Sequence, residues 1–521
     1  MDHRSTRAAV VPPRFATAVL LASLAGVLTV SPMLYEPLWP LAWVGLLPLF
    51  VALRGVSAAR AFALGWWTET LMYGLGTYWL VNTMVDFGHI PLPLSILFFV
   101  IVATANGVRM GIFAWWMRRM QSRESPWWYR LLLPACAFVA LDFAFPRVFP
   151  WYLGFLQYPA LPLIQVADLT GVHGVSFILV LCSVGGAVFV AARQSPAGAG
   201  RYRMAAAVGG VLLLQVGYGL WRMPQVAEAV QQADSLRVAL VQPNLGIDEN
   251  RNGPKRREHL RLLADMSAAA LTQNPDLVIW PESAYPYALT TQEPFLYLPE
   301  GVTNDVPWLI GGMAYEGPED ARRLFNSTWL VAPGQQVIGR YDKHVLLAFG
   351  EYVPMQRYLP FLGRISPAIG NFTPGEGPRL LTLPGGVSIG PLICYEDIMP
   401  PPARLAARQG AQVLVNLTND MWFGPTRAPY QHRNAAAFRA VENRRTLVRV
   451  TNTGVTSIID ALGREQAALP IYQRGTLVDD VAALRMPTVY QRFGDWFAWL
   501  CCGAAVGLPG WRYVRRGAGR R

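Results

Sequence analysis

The chain is 521 residues long, 53% hydrophobic and only 15% charged, with a mean hydropathy of +0.26. That composition excludes an ordinary soluble protein of this size and points to the lipid bilayer. The net charge of +12 does not argue for nucleic acid: residues 222–495 balance 26 Lys or Arg against 26 Asp or Glu, and the surplus, 19 against 7, lies in the apolar part and the tail.

Crossing a bilayer takes about 20 mostly apolar residues. Seven such stretches precede residue 222, near Phe15 to Met33, Pro37 to Leu53, Ala61 to Val81, Leu92 to Met117, Leu131 to Phe145, Val172 to Ala192 and Met204 to Trp221. An eighth runs from about Phe493 to Trp511. The third carries Glu69 and the short fifth carries Asp142, which read as helix-end or interhelical hydrogen-bonding groups. The first stretch is long and is followed by six like it, so it reads as a retained span and not as a removable signal peptide.

Basic residues orient the bundle, because short cytoplasmic loops carry the Lys/Arg excess. Arg4, Arg7 and Arg14, then Arg54 and Arg60, then Arg118, Arg119, Arg123 and Arg130, then Arg193, Arg201 and Arg203 share one side with the tail arginines from Arg512 onward. The intervening loops hold only Arg147. The expected layout is a membrane domain (1–221), an extracytoplasmic domain (222–492), and a last span with a basic cytoplasmic tail (493–521).

Residues 233–490 alternate short β-branched runs with polar helical stretches, the pattern of a layered α/β domain. Strands are expected at Leu236 to Gln242, Asp276 to Trp280, "PWLIGG", "NSTWLVAP", "VSIGPLIC", "AQVLVNLT" and "TLVRVTNTGVTSIID". Helices are expected at Pro254 to Gln273, Pro400 to Gln409 and Tyr430 to Arg444. No repeat or glycine-rich phosphate loop is present, and no metal or other cofactor is implied. His259, His344 and His432 are isolated in sequence, and one cysteine cannot build a zinc site.

Cys394, ending an apolar strand in "LICYEDIM", is the one cysteine of this domain; Cys136, Cys182, Cys501 and Cys502 fall in apolar stretches. It is either a small core hydrophobe or a nucleophile. Two other strand ends carry chemistry: "LVIWPES" delivers Glu282, and "GRYDKHVLLAFGEYVP" delivers Lys343 and Glu351. A thiol becomes nucleophilic as thiolate, so it needs a proton acceptor and a positive field. Glu282 supplies the first and Lys343 the second, with Lys343 also able to stabilise an oxyanion. A Cys/His dyad using His344 or His432 is the competing arrangement, though neither histidine has an apparent orienting group.

In this order and at these separations the three motifs resemble the Glu/Lys/Cys triad of the nitrilase, or carbon-nitrogen hydrolase, superfamily. "NLTNDMWFGPTRAPYQH", "RAVENRRTLVRVTNTGVTSIID" and "DLTGVHGVSFIL" narrow the resemblance to the apolipoprotein N-acyltransferase family. The resemblance implies a multi-span helical membrane bundle joined to an extracytoplasmic αββα sandwich in a bacterial inner membrane. It implies Glu282 as general base, Lys343 as oxyanion cation and Cys394 as nucleophile, supported by Glu351, Asn326, Tyr395 and Glu396. It further implies a phospholipid acyl donor, a diacylglyceryl lipoprotein acceptor, the bilayer as the other partner, no nucleic acid, and a monomer. The family's Lys-Trp pair after the first strand is replaced here by Asn250 and Arg251. A tethered amidase, or a transporter or scaffold without catalysis, would be the alternatives. The apolar stretch Glu351 to Phe372 reads either as core or as a hinged lid at the membrane surface.

Overall fold

The computed structural model describes residues 13–121, 125–192, 200–246, 253–299, 302, 305–354, 358 and 371–518. Asn250, Arg251 and most of the proposed lid, 355–357 and 359–370, lie outside them.

The apolar part forms long helices because a backbone in hydrocarbon must satisfy its own hydrogen bonds. They are α1 (Phe15–Leu34), α2 (Ala58–Gly76), α3 (Leu92–Met120), α4 (Trp127–Ala144), α5 (Val172–Ala192) and α6 (Gly200–Gln232). Of these, α1, α3, α4, α5 and α6 are long and apolar enough to cross a membrane. The stretch expected as the second span is instead a 3-10 segment, Glu36–Trp43, followed by a short helix, Leu47–Ala52. Pro37, Pro40 and Pro48 remove the amides that one continuous helix would need. Helix α2 ends at Gly76, and a separate helix, Trp79–Asp86, follows it.

The two acids flagged within the bundle are ion-paired. Arg109 on α3 reaches Glu69 on α2 at 2.7 Å and Asp142 on α4 at 3.1 Å, and Arg147 meets Asp142 at 2.8 Å. All four side chains are buried.

Helix α6 runs past the expected span end to Gln232, and the α/β domain opens two residues later. Its first sheet holds β1 (Asp234–Gln242), β2 (Leu277–Trp280), β3 (Leu289–Thr290), β4 (Trp308–Glu316), β5 (Arg323–Val331) and β6 (Val337–Asp342). The last strand in the chain, β13 (Gly475–Ala483), closes that sheet beside β1, giving the order β13-β1-β2-β4-β5-β6 with β3 paired to β4. The second sheet has β7 (Leu381–Thr382), β8 (Ser388–Ile393), β9 (Val413–Thr418), β10 (Thr446–Thr451), β11 (Ser457–Ile459) and β12 (Glu465–Ala468) in the order β12-β11-β10-β9-β8-β7. Buried Val238, Leu240, Ile279 and Leu309 of the first sheet meet Ile389, Val413, Val415 and Val448 of the second, so the sheets stack face to face.

Helices cover both outer faces. Helix α7 (Gly253–Leu271) packs Leu263 and Ala264 with Val241, Val278 and Trp280 outside the first sheet. On the second sheet lie α8 (Pro400–Gln409) and α9 (Ala428–Asn443). The expected αββα sandwich is therefore present. Helix α9 is buried along nearly its whole length: Ala435, Ala436, Phe438 and Ala440 pack both with Leu414 and Leu447 of the sheet and with Phe155, Ile164 and Val172 of the membrane part. Polar ties reinforce this contact. Arg444 holds Asp168 at 2.8 and 3.1 Å and Gln165 at 2.7 Å. Gln431 donates to the Gly76 carbonyl at 3.0 Å and accepts from the Trp79 indole at 3.1 Å. The last helix, α10 (Trp496–Ala518), packs Ala498 and Cys501 against Cys136 and Val139 of α4.

Candidate active site

Three strand ends converge at one edge of the sandwich. Glu282 lies two residues after β2 and Lys343 one after β6, both in the first sheet; Cys394 directly follows β8 in the second. The site thus straddles the sheets. Cys394 has φ +52° and Ser283, next to Glu282, has φ +55°. Left-handed backbone costs a non-glycine residue about 1–2 kcal/mol. That strain lets β8 turn sharply and present the thiol instead of continuing as strand.

Asn326 on β5 organises the carboxylates. Its Nδ2 donates to Glu282 Oε1 at 2.7 Å and to Glu351 Oε1 at 2.9 Å. Glu351 Oε2 takes the Lys343 ammonium at 2.8 Å and the Leu347 amide at 2.8 Å. Glu282 Oε2 is buried and makes no well-formed hydrogen bond among the described residues, while Cys394 is close enough to favour its ionised form. Glu282, Lys343, Glu351, Asn326 and Cys394 are all buried.

Burial dominates the electrostatics. It pushes the Glu282 carboxyl up, with Glu351 adding to the rise and Lys343 and Asn326 opposing it. The Cys394 thiol is pushed well up by burial and then by Glu282, against the pull of Lys343 and the nearby Thr418 hydroxyl. Burial works against the Lys343 charge, but Glu351, Cys394 and Glu282 outweigh it and hold the ammonium firmly protonated. The resting site is a neutral thiol beside a glutamate and a fixed cation. Such a thiol becomes reactive only as its proton leaves, and Glu282 is the carboxylate beside it.

A family model described as Carbon-nitrogen hydrolase matches residues 237–488, and one described as Apolipoprotein N-acyltransferase N-terminal domain matches residues 23–185. The chain is 34% identical over 500 residues to an apolipoprotein N-acyltransferase of Geobacter metallireducens, covering 94% of each chain. The chain belongs to the apolipoprotein N-acyltransferase family. A relative of that name in Azotobacter vinelandii is 33% identical over 96% of each chain. Among solved structures, it is similar to a nitrilase-superfamily amidase of Nesterenkonia, with 23% identity, 49% of this chain and 93% of that one covered, and a TM-score of 0.34.

In this family member the two residues after Cys394 are turned to other partners. Glu396 accepts from the Ile393 amide at 2.8 Å, the Tyr341 hydroxyl at 2.7 Å, and the His344 and Val345 amides at 2.9 and 3.0 Å. It clamps the Cys394 turn to the segment that carries Lys343. Burial opposes its charge, yet these bonds, His344 and Lys343 hold the carboxyl below its usual range. Tyr395 donates its hydroxyl to the Val148 carbonyl and sets its ring edge-on to Phe149, so it joins the site to the membrane part.

The histidines correct the sequence reading, since both have orienting partners. His344 Nδ1 lies 2.8 Å from the Tyr341 hydroxyl and 3.0 Å from Glu396. His432 is held at both nitrogens, by Asp397 at 2.6 Å and Asp420 at 2.8 Å. Burial lowers the His432 pKa, but the two aspartates outweigh it and raise it to about 9. With both nitrogens engaged as donors, His432 has no free lone pair with which to act as base for Cys394. Asp397, Asp420 and Arg449 escaped sequence reasoning, which had considered His432 only as a base for Cys394. Their one signal was an acidic residue three places after the cysteine; the partners lie 23 to 52 residues further on.

Proposed function

We propose that the protein is a phospholipid-to-apolipoprotein N-acyltransferase working through a thioester on Cys394. The observation that carries this reading is Glu282, held by Asn326 at one oxygen and open at the other beside Cys394, with the Lys343 ammonium adjacent. In the first half-reaction, Glu282 takes the thiol proton as sulfur attacks the ester carbonyl of a phospholipid. Lys343 stabilises the tetrahedral oxyanion, and such a donor is worth about 2.7–4 kcal/mol. Collapse breaks the ester C–O bond, Glu282 protonates the departing alkoxide, and a lysophospholipid leaves. In the second, the α-amine of an S-diacylglyceryl cysteine attacks the thioester. Glu282 takes the amine proton and returns it to the leaving thiolate, giving an amide.

The helical bundle supports the lipid substrates. Both are anchored in the bilayer, so a site tied to membrane helices meets them by lateral diffusion. Trp422 is exposed beside the membrane part, 4.9 Å from Phe87 and with its carbonyl accepting from Thr83. Aromatic residues of this kind favour membrane interfaces. The arginine asymmetry supports a reading in which residues 222–492 lie outside the cytoplasm and both termini lie inside it, in a bacterial inner membrane. A tethered amidase would need one anchor, not a bundle.

The test is incubation of the full-length protein with phospholipid vesicles, followed by mass spectrometry. The reading expects a hydroxylamine-sensitive acyl adduct on Cys394 that an apolipoprotein amine discharges. An adduct that only water discharges would favour the amidase.

A further inference from the structure

Behind Cys394 lies a closed ring of four buried charges that the acyl-transfer steps do not use. Strands β8 and β9 run parallel with Ile393 opposite Leu417, so Cys394, just past β8, comes beside Thr418 at the end of β9. Each strand then enters a 3-10 turn, Cys394–Asp397 from β8 and Asp420–Phe423 from β9. His432, from α9, joins these turns, with Nε2 on Asp397 Oδ1 at 2.6 Å and Nδ1 on Asp420 Oδ1 at 2.8 Å. Arg449, from β10, closes the ring through Nε on Asp397 Oδ2 at 2.9 Å, while its Nη2 stays 3.9 Å from Asp420 Oδ2. Asp397 is therefore satisfied twice, whereas Asp420 Oδ2 has no hydrogen-bond partner among the described residues. His432 is the nearer cation on Asp420 and the one hydrogen-bonded to it.

We propose that His432 is a positioning residue for the nucleophile: as an imidazolium it fixes the Cys394 turn against the end of β9 and cancels the charge of Asp420 beside the thiol. The physical argument is one of sign. A thiolate forming near an uncompensated, buried carboxylate is repelled by it, and a fixed imidazolium on that carboxylate removes the penalty. Asp420 does act on Cys394 in the direction that disfavours thiolate. The groups facing His432 are Asp397, Asp420 and Arg449, with the Phe423 ring edge-on at 6.2 Å. Tyr472 faces Asp420, and Glu282 and Lys343 face the thiol from the opposite sheet. Of these only Arg449 is a cation near Asp420, at 3.9 Å and without a hydrogen bond to it, so His432 is the hydrogen-bonded cation on that carboxylate.

The role rests on Cys394 being the nucleophile, so the experiment reads thiol reactivity separately from acyl transfer. Full-length wild type, His432→Gln, Asp420→Asn and the double variant are treated with iodoacetamide in detergent, and carbamidomethylation of the Cys394 peptide is timed by mass spectrometry. His432→Gln should slow alkylation at pH 7.5 by about tenfold, one pKa unit in the thiol. Asp420→Asn should not slow it, and the double variant should return to within about threefold of wild type. In wild type the rise of the rate with pH should flatten near pH 9 as His432 deprotonates, and in Asp420→Asn it should not. The pH comparison needs no His432 variant to fold. A double variant as slow as His432→Gln, or wild-type and Asp420→Asn profiles of one shape, would overturn the proposal. Acyl-adduct formation from phosphatidylethanolamine vesicles is measured in parallel. Its absence from a wild type that alkylates as expected would count against the acyltransferase reading and leave the positioning role standing.

Discussion

Two regions bury charge at similar depth and do different things with it. In the bundle, Glu69, Arg109, Asp142 and Arg147 form a neutral chain across α2, α3 and α4. At the edge of the sandwich, Glu282, Glu351, Lys343 and Asn326 surround a thiol. Both retain unsatisfied atoms, Asp142 Oδ2 and Arg109 Nε in the first and Glu282 Oε2 in the second. An orphaned buried atom is thus not by itself the mark of a reactive centre. What separates the two is that the second places its free oxygen beside a thiol on left-handed backbone, and among the described residues the first has no such group beside it.

The sharpest way to break this comparison is chemical. Cys394→Ser should abolish the acyl adduct, and Lys343→Met and Glu282→Gln should lower its rate by about 100- to 1000-fold, all measured with phospholipid vesicles. The Cys394→Ser melting temperature should stay near that of wild type. Arg109→Met should do the reverse. Stranding Glu69 and Asp142 in the bundle should cost about 3–5 kcal/mol in detergent unfolding, while the folded fraction still forms adduct at the normal rate. A stable, inactive Arg109→Met protein would make the bundle cluster part of the chemistry.

Smaller changes sharpen the boundary. Glu396→Gln weakens charge-assisted bonds between the Cys394 turn and the Lys343 segment; a loss of about 1.5–3 kcal/mol in stability is expected, with slower acylation. Because the folded pKa of His432 is raised from 6.5 to about 9, its contribution to stability is complete below pH 6.5 and fades as pH rises through 9. The melting-temperature gap between wild type and His432→Gln should therefore narrow over that range. Tyr395→Phe, losing one hydroxyl bond to the Val148 carbonyl, should cost about 1 kcal/mol and leave thiol alkylation unchanged.

What could be read in the sequence was what is local. The strand ending at Ile393 and the helix Pro400–Gln409 follow from an apolar run, a turn and a proline start, and the structure has them where expected. Glu282, Lys343 and Cys394 were legible because each ends a strand of its own. The broken second span was hidden because hydropathy does not register that three prolines deny a helix its amides. Strand β13 was missed because its half-exposed residues, with Asp479 and Asp480 in the middle, lack a buried strand's apolar run, although nine register pairs bind it to β1. The His432 ring was invisible for a different reason. Its members come from a turn, a second turn, a helix and a strand, and only the stacking of β8, β9 and β10 under α9 brings them together.

Helix α9 bears on how this molecule can be taken apart. Its alanines touch the second sheet on one side and membrane-part residues on the other, so the seam between the two halves runs through the layer that also carries His432. An excised α/β domain would turn that alanine face to water and loosen the support of its own active-site turn. Severing the halves should therefore yield a fragment that self-associates through the bared face, and whose cysteine has lost reactivity even though Glu282, Lys343 and Cys394 are all still attached.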